Sequence, residues 1–124
     1  MKRILVVDDE PDTREMLKYV LEQCRASVKT CNSVSGCLEI FKEWNPNLII
    51  SDIGMPDEDG FDLVQQVRDA GYTAQQLPAV ALTAFANKVH ADRALKCGFQ
   101  MHIRKPVDAS DLITAIAGLA GRTA

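Results

Sequence analysis

Four apolar runs in the chain each end in a chemically active polar residue. Ile4-Leu5-Val6-Val7 leads into Asp8-Asp9, and Leu48-Ile49-Ile50-Ser51 leads into Asp52. Val80-Ala81-Leu82 leads into Thr83, and Met101-His102-Ile103-Arg104 leads into Lys105. Short apolar runs without alternation fit strands buried on both faces, as in parallel sheets. Together with a run at 27–31, they predict strands over residues 4–8, 27–31, 48–52, 79–83 and 101–104.

Helical stripes fill the intervals. Pro11 suits a first helical turn, where its missing N–H is no loss. Met16, Leu17, Val20, Leu21 and Cys24 follow at helical spacing. Ser33 is placed to cap a second helix carrying Val34, Cys37, Leu38 and Phe41. Asn45-Pro46-Asn47 ends it. Leu63, Val64 and Val67 form a third stripe, with Gly71 as its stop. The sparsest stripe, Val89, Ala91, Ala94 and Leu95, predicts a weakly anchored helix over about 87–97, ended by Gly98. Asp108 caps a last helix bearing Leu112, Ile113, Ile116 and Leu119.

The pattern is (βα)5, an α/β fold with helices on both faces of a parallel sheet. Strand order 2-1-3-4-5, flavodoxin-like, is the common solution for this count. In such a sheet Asp8, Asp9, Asp52, Thr83 and Lys105 all emerge at the carboxyl edge, where open α/β sheets bind ligands. Three carboxylates, a hydroxyl and an ammonium in one crevice suit a divalent cation and a phosphoryl group. Mg²⁺ takes hard oxygen ligands and commonly bridges protein to phosphate. A carboxylate can attack phosphorus to give an acyl phosphate. Lys105 would offset charge on the transferring group, and Thr83 would donate a hydroxyl.

Bulk properties narrow the classes. At 124 residues the chain predicts one domain, 1–124. Net charge is -3 with no basic run, which disfavours direct nucleic-acid binding. No apolar run approaches a membrane span or a secretory core, so a cytoplasmic location is expected. Cys24, Cys31, Cys37 and Cys97 form no C-x-x-C pair and are expected to be buried, reduced thiols. After Leu119 only five residues remain, so no second domain is expected and output is expected to pass through another protein.

The segments ILVVDDEP, LIISDIGMPDEDGFDL, AVALTAF and IRKPV, in this order and spacing, resemble response-regulator receiver domains over the whole chain. The resemblance implies that Asp52 accepts a phosphoryl group from a sensor histidine kinase or a histidine phosphotransfer protein. It implies Mg²⁺ (or Mn²⁺) held by Asp8, Asp9, Asp52 and the backbone carbonyl of Gly54. Thr83 and Lys105 would bind the phosphoryl oxygens. A switch would run through Thr83 and an aromatic on the last strand to the face made by the 87–97 helix, last strand and last helix. That face would serve a downstream protein target or a weak dimer of an otherwise monomeric chain.

The chain departs from the family pattern where His102 stands in place of Tyr or Phe, and Val107 stands where Phe is common. Two readings of His102 stand together: an imidazole that takes part in the switch, and a partly exposed histidine with no signalling role. GFQMHIRKPV is similar to receivers joined to hybrid sensor kinases. Asp57, Glu58 and Asp59 are expected to shape the loop after Asp52 and cap the third helix, and His90 to lie on a solvated face. Phe85, two residues past Thr83, is either a brake on acyl-phosphate hydrolysis or a surface contact. The competing function is a pseudo-receiver, a binding module that never cycles. A turnover phosphatase is disfavoured, because Asp8-Asp9-Glu10 is not the D-x-D of haloacid-dehalogenase-type enzymes. Flavin binding is disfavoured by the acidic first loop, the wrong sign for a phosphate cradle.

Overall fold

The computed structural model describes residues 3–53, 60–73, 76–83, 98–99, 101–104 and 107–123, with the backbone alone described at 60–62, 83, 104 and 118–123. Five strands form one parallel sheet: β1 (Arg3–Val7), β2 (Ser27–Cys31), β3 (Leu48–Asp52), β4 (Ala79–Thr83) and β5 (Met101–Arg104), in the order β2-β1-β3-β4-β5. Four described helices connect or follow them: α1 (Pro11–Gln23), α2 (Val34–Trp44), α3 (Gly60–Asp69) and α4 (Ala109–Thr123). The predicted 87–97 helix lies outside the described residues.

Strand alternation divides the core in two. Ile4, Val6, Ile50, Val80 and Leu82 face Leu17 and Leu21 of α1 and Leu112 and Ala115 of α4. Leu5, Val7, Ile49, Ala79 and Ala81 face Val34, Cys37 and Phe41 of α2 and Leu63, Val64 and Val67 of α3. Every central strand is therefore covered on both faces, which is why its sequence reads as an unbroken apolar run.

Local chemistry sets the ends of the elements. Ser33 Oγ accepts the Gly36 N–H at 3.1 Å and caps α2. Asn45 ends that helix in the left-handed region, at φ 53°. Asn47 then exchanges two hydrogen bonds with the Arg3 backbone, at 2.7 and 2.8 Å, pinning the turn to the start of β1. Gly71, at φ 101°, follows α3, a conformation open to glycine without strain.

Three expectations need correction. Asp8 lies just past β1 rather than in it, although its N–H still donates to the Cys31 carbonyl at 3.1 Å. Cys24 is exposed, not buried: α1 stops at Gln23 and Arg25 turns left-handed at φ 67°, so the fifth position of the stripe leaves the core. Ile113 is also exposed, because Ala115 takes the inward place between Leu112 and Ile116. Cys31 is half-buried and Cys37 is buried, both as reduced thiols outside any disulfide, while Cys97 lies outside the described residues.

Candidate acidic site at the carboxyl edge

Strand register brings the carboxylates together. Val7 pairs with Ser51, so the next residue on each chain, Asp8 and Asp52, stands at the same level. Asp52 pairs in turn with Leu82, which puts Thr83 one step further out on β4, opposite Arg104. The β1–α1 turn is too short to carry Asp9 and Glu10 away. One carboxylate oxygen from each of Asp8, Asp9, Glu10 and Asp52 lies within 4.8 Å of the others.

The pocket has a buried floor and an exposed rim. Asp8 is 0% exposed and Asp52 6%, while Asp9 and Glu10 face solvent. Asp8 is fixed from several sides. Its Oδ1 accepts the Glu10 N–H at 2.9 Å, and its carbonyl accepts Arg14 Nη1 at 2.7 Å. Buried Ser51 donates its hydroxyl to the Asp52 carbonyl at 3.0 Å, and Ile53 N–H donates to Leu82 at 3.1 Å, which holds the backbone on both sides of the Asp52 side chain.

Of the residues singled out in the sequence, Asp8, Asp9 and Asp52 gather in this pocket. Thr83 is placed by its backbone at the same edge. Gly54, the loop acids Asp57, Glu58 and Asp59, Phe85, His90 and Lys105 lie outside the described residues. His102 is exposed on β5 and lines a groove of about 410 Å³ with Met101, Ile103, Asp111, Thr114 and Ala115. Val107 packs against the core shared by α1 and α4. Two residues of the site escaped the sequence reading. Glu10 adjoins the acidic pair and could have been found by adjacency; Arg14 lies one helical turn past Glu10, within reach of the strand end.

A doubly wound α/β domain with an acidic pocket at the carboxyl ends of β1 and β3 is the class that fold and site define. The chain belongs to the response regulator receiver domain family, whose model matches residues 4–117. It is 41% identical over 113 residues to a Leptolyngbya boryana protein described as "Uncharacterized 14.6 kDa protein in sodA1 3'region", covering 91% of this chain and 86% of that one. It is 34% identical over 119 residues to the sensor histidine kinase RcsC of Salmonella typhi, covering 96% of this chain but only 12% of the kinase. A receiver domain structure from Clostridium thermocellum superposes with a TM-score of 0.88 at 31% identity, covering 98% of this chain and 96% of that one. The family is a signalling module rather than a class of turnover enzymes, and its members generally bind Mg²⁺ in an acidic pocket. The donor set here fits such an ion: all four groups are hard oxygen ligands, and their crowding favours a cation among them. No described helix is long and apolar enough to cross a membrane.

Proposed function

We propose that this domain is a phosphoacceptor of a two-component or phosphorelay system, with Asp52 as the residue modified. The observation that carries the reading is the meeting of Asp52, from β3, with Asp8 and Asp9 at the end of β1. A lone acidic pair would be a solvated turn; a third, buried carboxylate from another strand makes a pocket.

The chemistry follows from the residues. A carboxylate oxygen of Asp52 attacks the phosphorus of a partner's phosphohistidine. The new Asp52 O–P bond forms as the N–P bond breaks, and the imidazole leaves with the bonding pair and takes a proton. No base is required, because Asp52 enters as the carboxylate. The Arg14 and Glu10 hydrogen bonds hold Asp8 still while charge is redistributed beside it. Asp8 and Asp9, with Asp52 and the carbonyl of Gly54, would hold Mg²⁺ (or Mn²⁺), which supplies charge neutralisation at the phosphoryl oxygens when bound. Thr83 and Lys105 would take the remaining oxygens.

The partners of this reading are a sensor histidine kinase or histidine phosphotransfer protein upstream and a protein target downstream, in the cytoplasm. The switch would run from Thr83 toward His102 and its groove on the β5–α4 face, with the chain monomeric or weakly dimeric through that face.

The test is incubation with acetyl phosphate and MgCl₂. Intact mass is expected to rise by one phosphoryl group, and Asp52→Asn to abolish the rise. No adduct, with an amide spectrum unchanged by beryllofluoride, would leave the pseudo-receiver in its place.

A further inference from the structure

Two thiols outside the acidic pocket meet where β2 hands over to α2. Cys31 is the last residue of β2, and Cys37 lies in the first turn of α2. Ser33 Oγ caps that turn through the Gly36 N–H, and the Cys37 N–H donates to the Ser33 carbonyl at 3.1 Å. The turn thereby comes down on Cys31: a Cβ on Gly36 would stand 3.7 Å from the Cβ of Cys31. Both cysteines belong to the core under α2, Cys37 fully buried and Cys31 only half-buried. The Cys31 thiol donates to the Val6 carbonyl at 3.7 Å, which leaves its sulfur to accept from the Cys37 thiol. A buried cysteine is ordinarily a small apolar side chain. Here two sulfurs lie in hydrogen-bond contact, an arrangement from which a disulfide forms with little backbone movement.

We propose that Cys31 and Cys37 are an oxidisable dithiol, a modification site at which hydrogen peroxide cross-links the end of β2 to the first turn of α2. Cys31, the half-exposed member, is the one a peroxide reaches. Its thiolate attacks one peroxide oxygen. The S–O bond forms as the O–O bond breaks, and the hydroxide that leaves takes up the proton Cys31 gave up, as water. Cys37 keeps its own proton longer, held by the bond to Cys31 and by burial, so it acts second, as the resolving thiol. Its sulfur attacks Cys31 Sγ; the S–S bond forms as the S–O bond breaks, and the departing hydroxide takes the Cys37 proton. Two thiols and one peroxide thus give one disulfide and two waters. In a reducing compartment such a pair stays as thiols until an oxidant arrives, and a dithiol reductant reverses the cross-link.

The pair also lies close to the acidic pocket. The Cys31 carbonyl accepts the Asp8 N–H at 3.1 Å, so the cross-link is anchored one hydrogen bond from the pocket floor. Exposure and pairing make different forecasts. Cys24, the C-cap residue of α1, is more exposed than either thiol of the pair. If exposure alone governed oxidation, Cys24 would react and cross-links would be random; contact between two sulfurs selects Cys31 and Cys37.

The test exposes the full chain, reduced and then freed of reductant, to hydrogen peroxide in native buffer. It is then unfolded in urea with N-ethylmaleimide and digested with trypsin. One tryptic peptide, Thr30–Lys42, holds both cysteines, while Cys24 and Cys97 fall in others. That peptide is expected to carry no maleimide, to be lighter by two hydrogens, and to take both maleimides again after dithiothreitol, the chain staying monomeric on a non-reducing gel. Cys37→Ala is expected to leave Cys31 as a sulfenic acid that dimedone traps, and Cys31→Ser to leave Cys37 fully alkylated. Thr30–Lys42 still carrying both maleimides after peroxide overturns the proposal. So does a cross-link of either cysteine to Cys24, Cys97 or a second chain, and so does a disulfide that forms only when peroxide is added in urea. Far-UV circular dichroism before and after oxidation confirms that the fold is kept.

Discussion

The guanidinium of Arg68 donates twice to the carbonyl oxygen of Gly98, through Nε at 3.3 Å and Nη2 at 2.8 Å. Its Nη1 donates to the carbonyls of Leu77 at 2.7 Å and of Tyr72 and Thr73 at 3.2 Å. One side chain on α3 thereby holds the turn into β4 against the approach to β5. Burial draws its pKa below the usual arginine value, yet a guanidinium stays charged in proteins. Gly98 has φ +115°, and a Cβ there would stand 3.0 Å from Arg68 Cγ and 3.1 Å from Nε. Arg68→Ala is expected to destabilise by about 2–3 kcal/mol, through four carbonyls left without a charged donor. Gly98→Ala is expected to cost about 1–3 kcal/mol. The double variant should fall short of the sum, because the clash disappears with the guanidinium. Urea unfolding of the four proteins checks this, and strict additivity would mean that the two residues do not press on each other.

Two side-chain caps fix where α2 and α4 begin. Ser33 Oγ holds the Gly36 N–H, and Asp108 Oδ1 holds the Ser110 N–H at 2.7 Å, with Asp111 further off at 3.4 Å. Ser33→Ala and Asp108→Ala are each expected to lower stability by about 1 kcal/mol, and Asp108→Asn by much less, because the amide oxygen still accepts. Chemical denaturation midpoints at constant m-value provide the measurement. A loss for Asp108→Asn equal to that for Asp108→Ala would show that the carboxylate acts through its charge rather than as a cap.

These caps were readable because their warrant is local: a Ser or Asp before an apolar stripe needs only its own next few residues. The sheet was readable for a related reason. Its strands are covered on both faces, so each run is apolar throughout and stops where the polar edge begins. Asp8, Asp9 and Asp52 could be placed together because parallel strands of one register end at one level. What remained hidden depends on longer reach. Arg68 finds its partner thirty residues away, and nothing in a lone arginine announces which carbonyls it will meet. Cys24 continued a helical stripe on paper, but the left-handed turn at Arg25 ended the helix one residue sooner. Ile113 met the same limit, since Ala115 rather than the larger side chain won the inward place.

Cys37 gives the domain a pH dependence at the alkaline end. Its thiol lies fully buried beneath α2, and three causes raise its pKa: the hydrogen bond with Cys31, then burial, then the charge Cys31 would carry if ionised. The native thiol therefore stays protonated, whereas in the unfolded chain it ionises near about pH 8.5. Above that pH the unfolded state binds fewer protons than the native state, so stability falls as pH rises; below it the contribution is intact. The slope from this one group approaches about 1.4 kcal/mol per pH unit. Urea titrations from neutral pH to pH ~10 on the wild type and on Cys37→Ala read it together with its effect on Cys31, its hydrogen-bond partner; groups away from this pair contribute equally to both. The variant's curve is expected to be flatter, and parallel curves would show that the thiol ionises in place.

Asp9 sits at the exposed rim of a pocket it shares with three other carboxylates, all within 4.8 Å. Like charges at such a spacing, at an exposed rim in salt, repel by about 0.3–0.5 kcal/mol per pair, roughly 1 kcal/mol over the three pairs Asp9 makes. In cation-free buffer Asp9→Asn is therefore expected to raise stability by about 1 kcal/mol. Magnesium reverses the ranking. An ion that binds only the native pocket stabilises it by RT ln(1 + [L]/Kd), about 1.4 kcal/mol at about ten times Kd. The variant, with a neutral amide oxygen in place of a carboxylate, should gain little of this. Plotted against MgCl₂ at fixed ionic strength, the two stability curves are expected to cross, the variant higher at zero and the wild type higher at saturation. Ionic strength must be held because salt alone screens the same repulsion. Curves that stay parallel would mean that Asp9 neither crowds the native pocket nor helps to fill it.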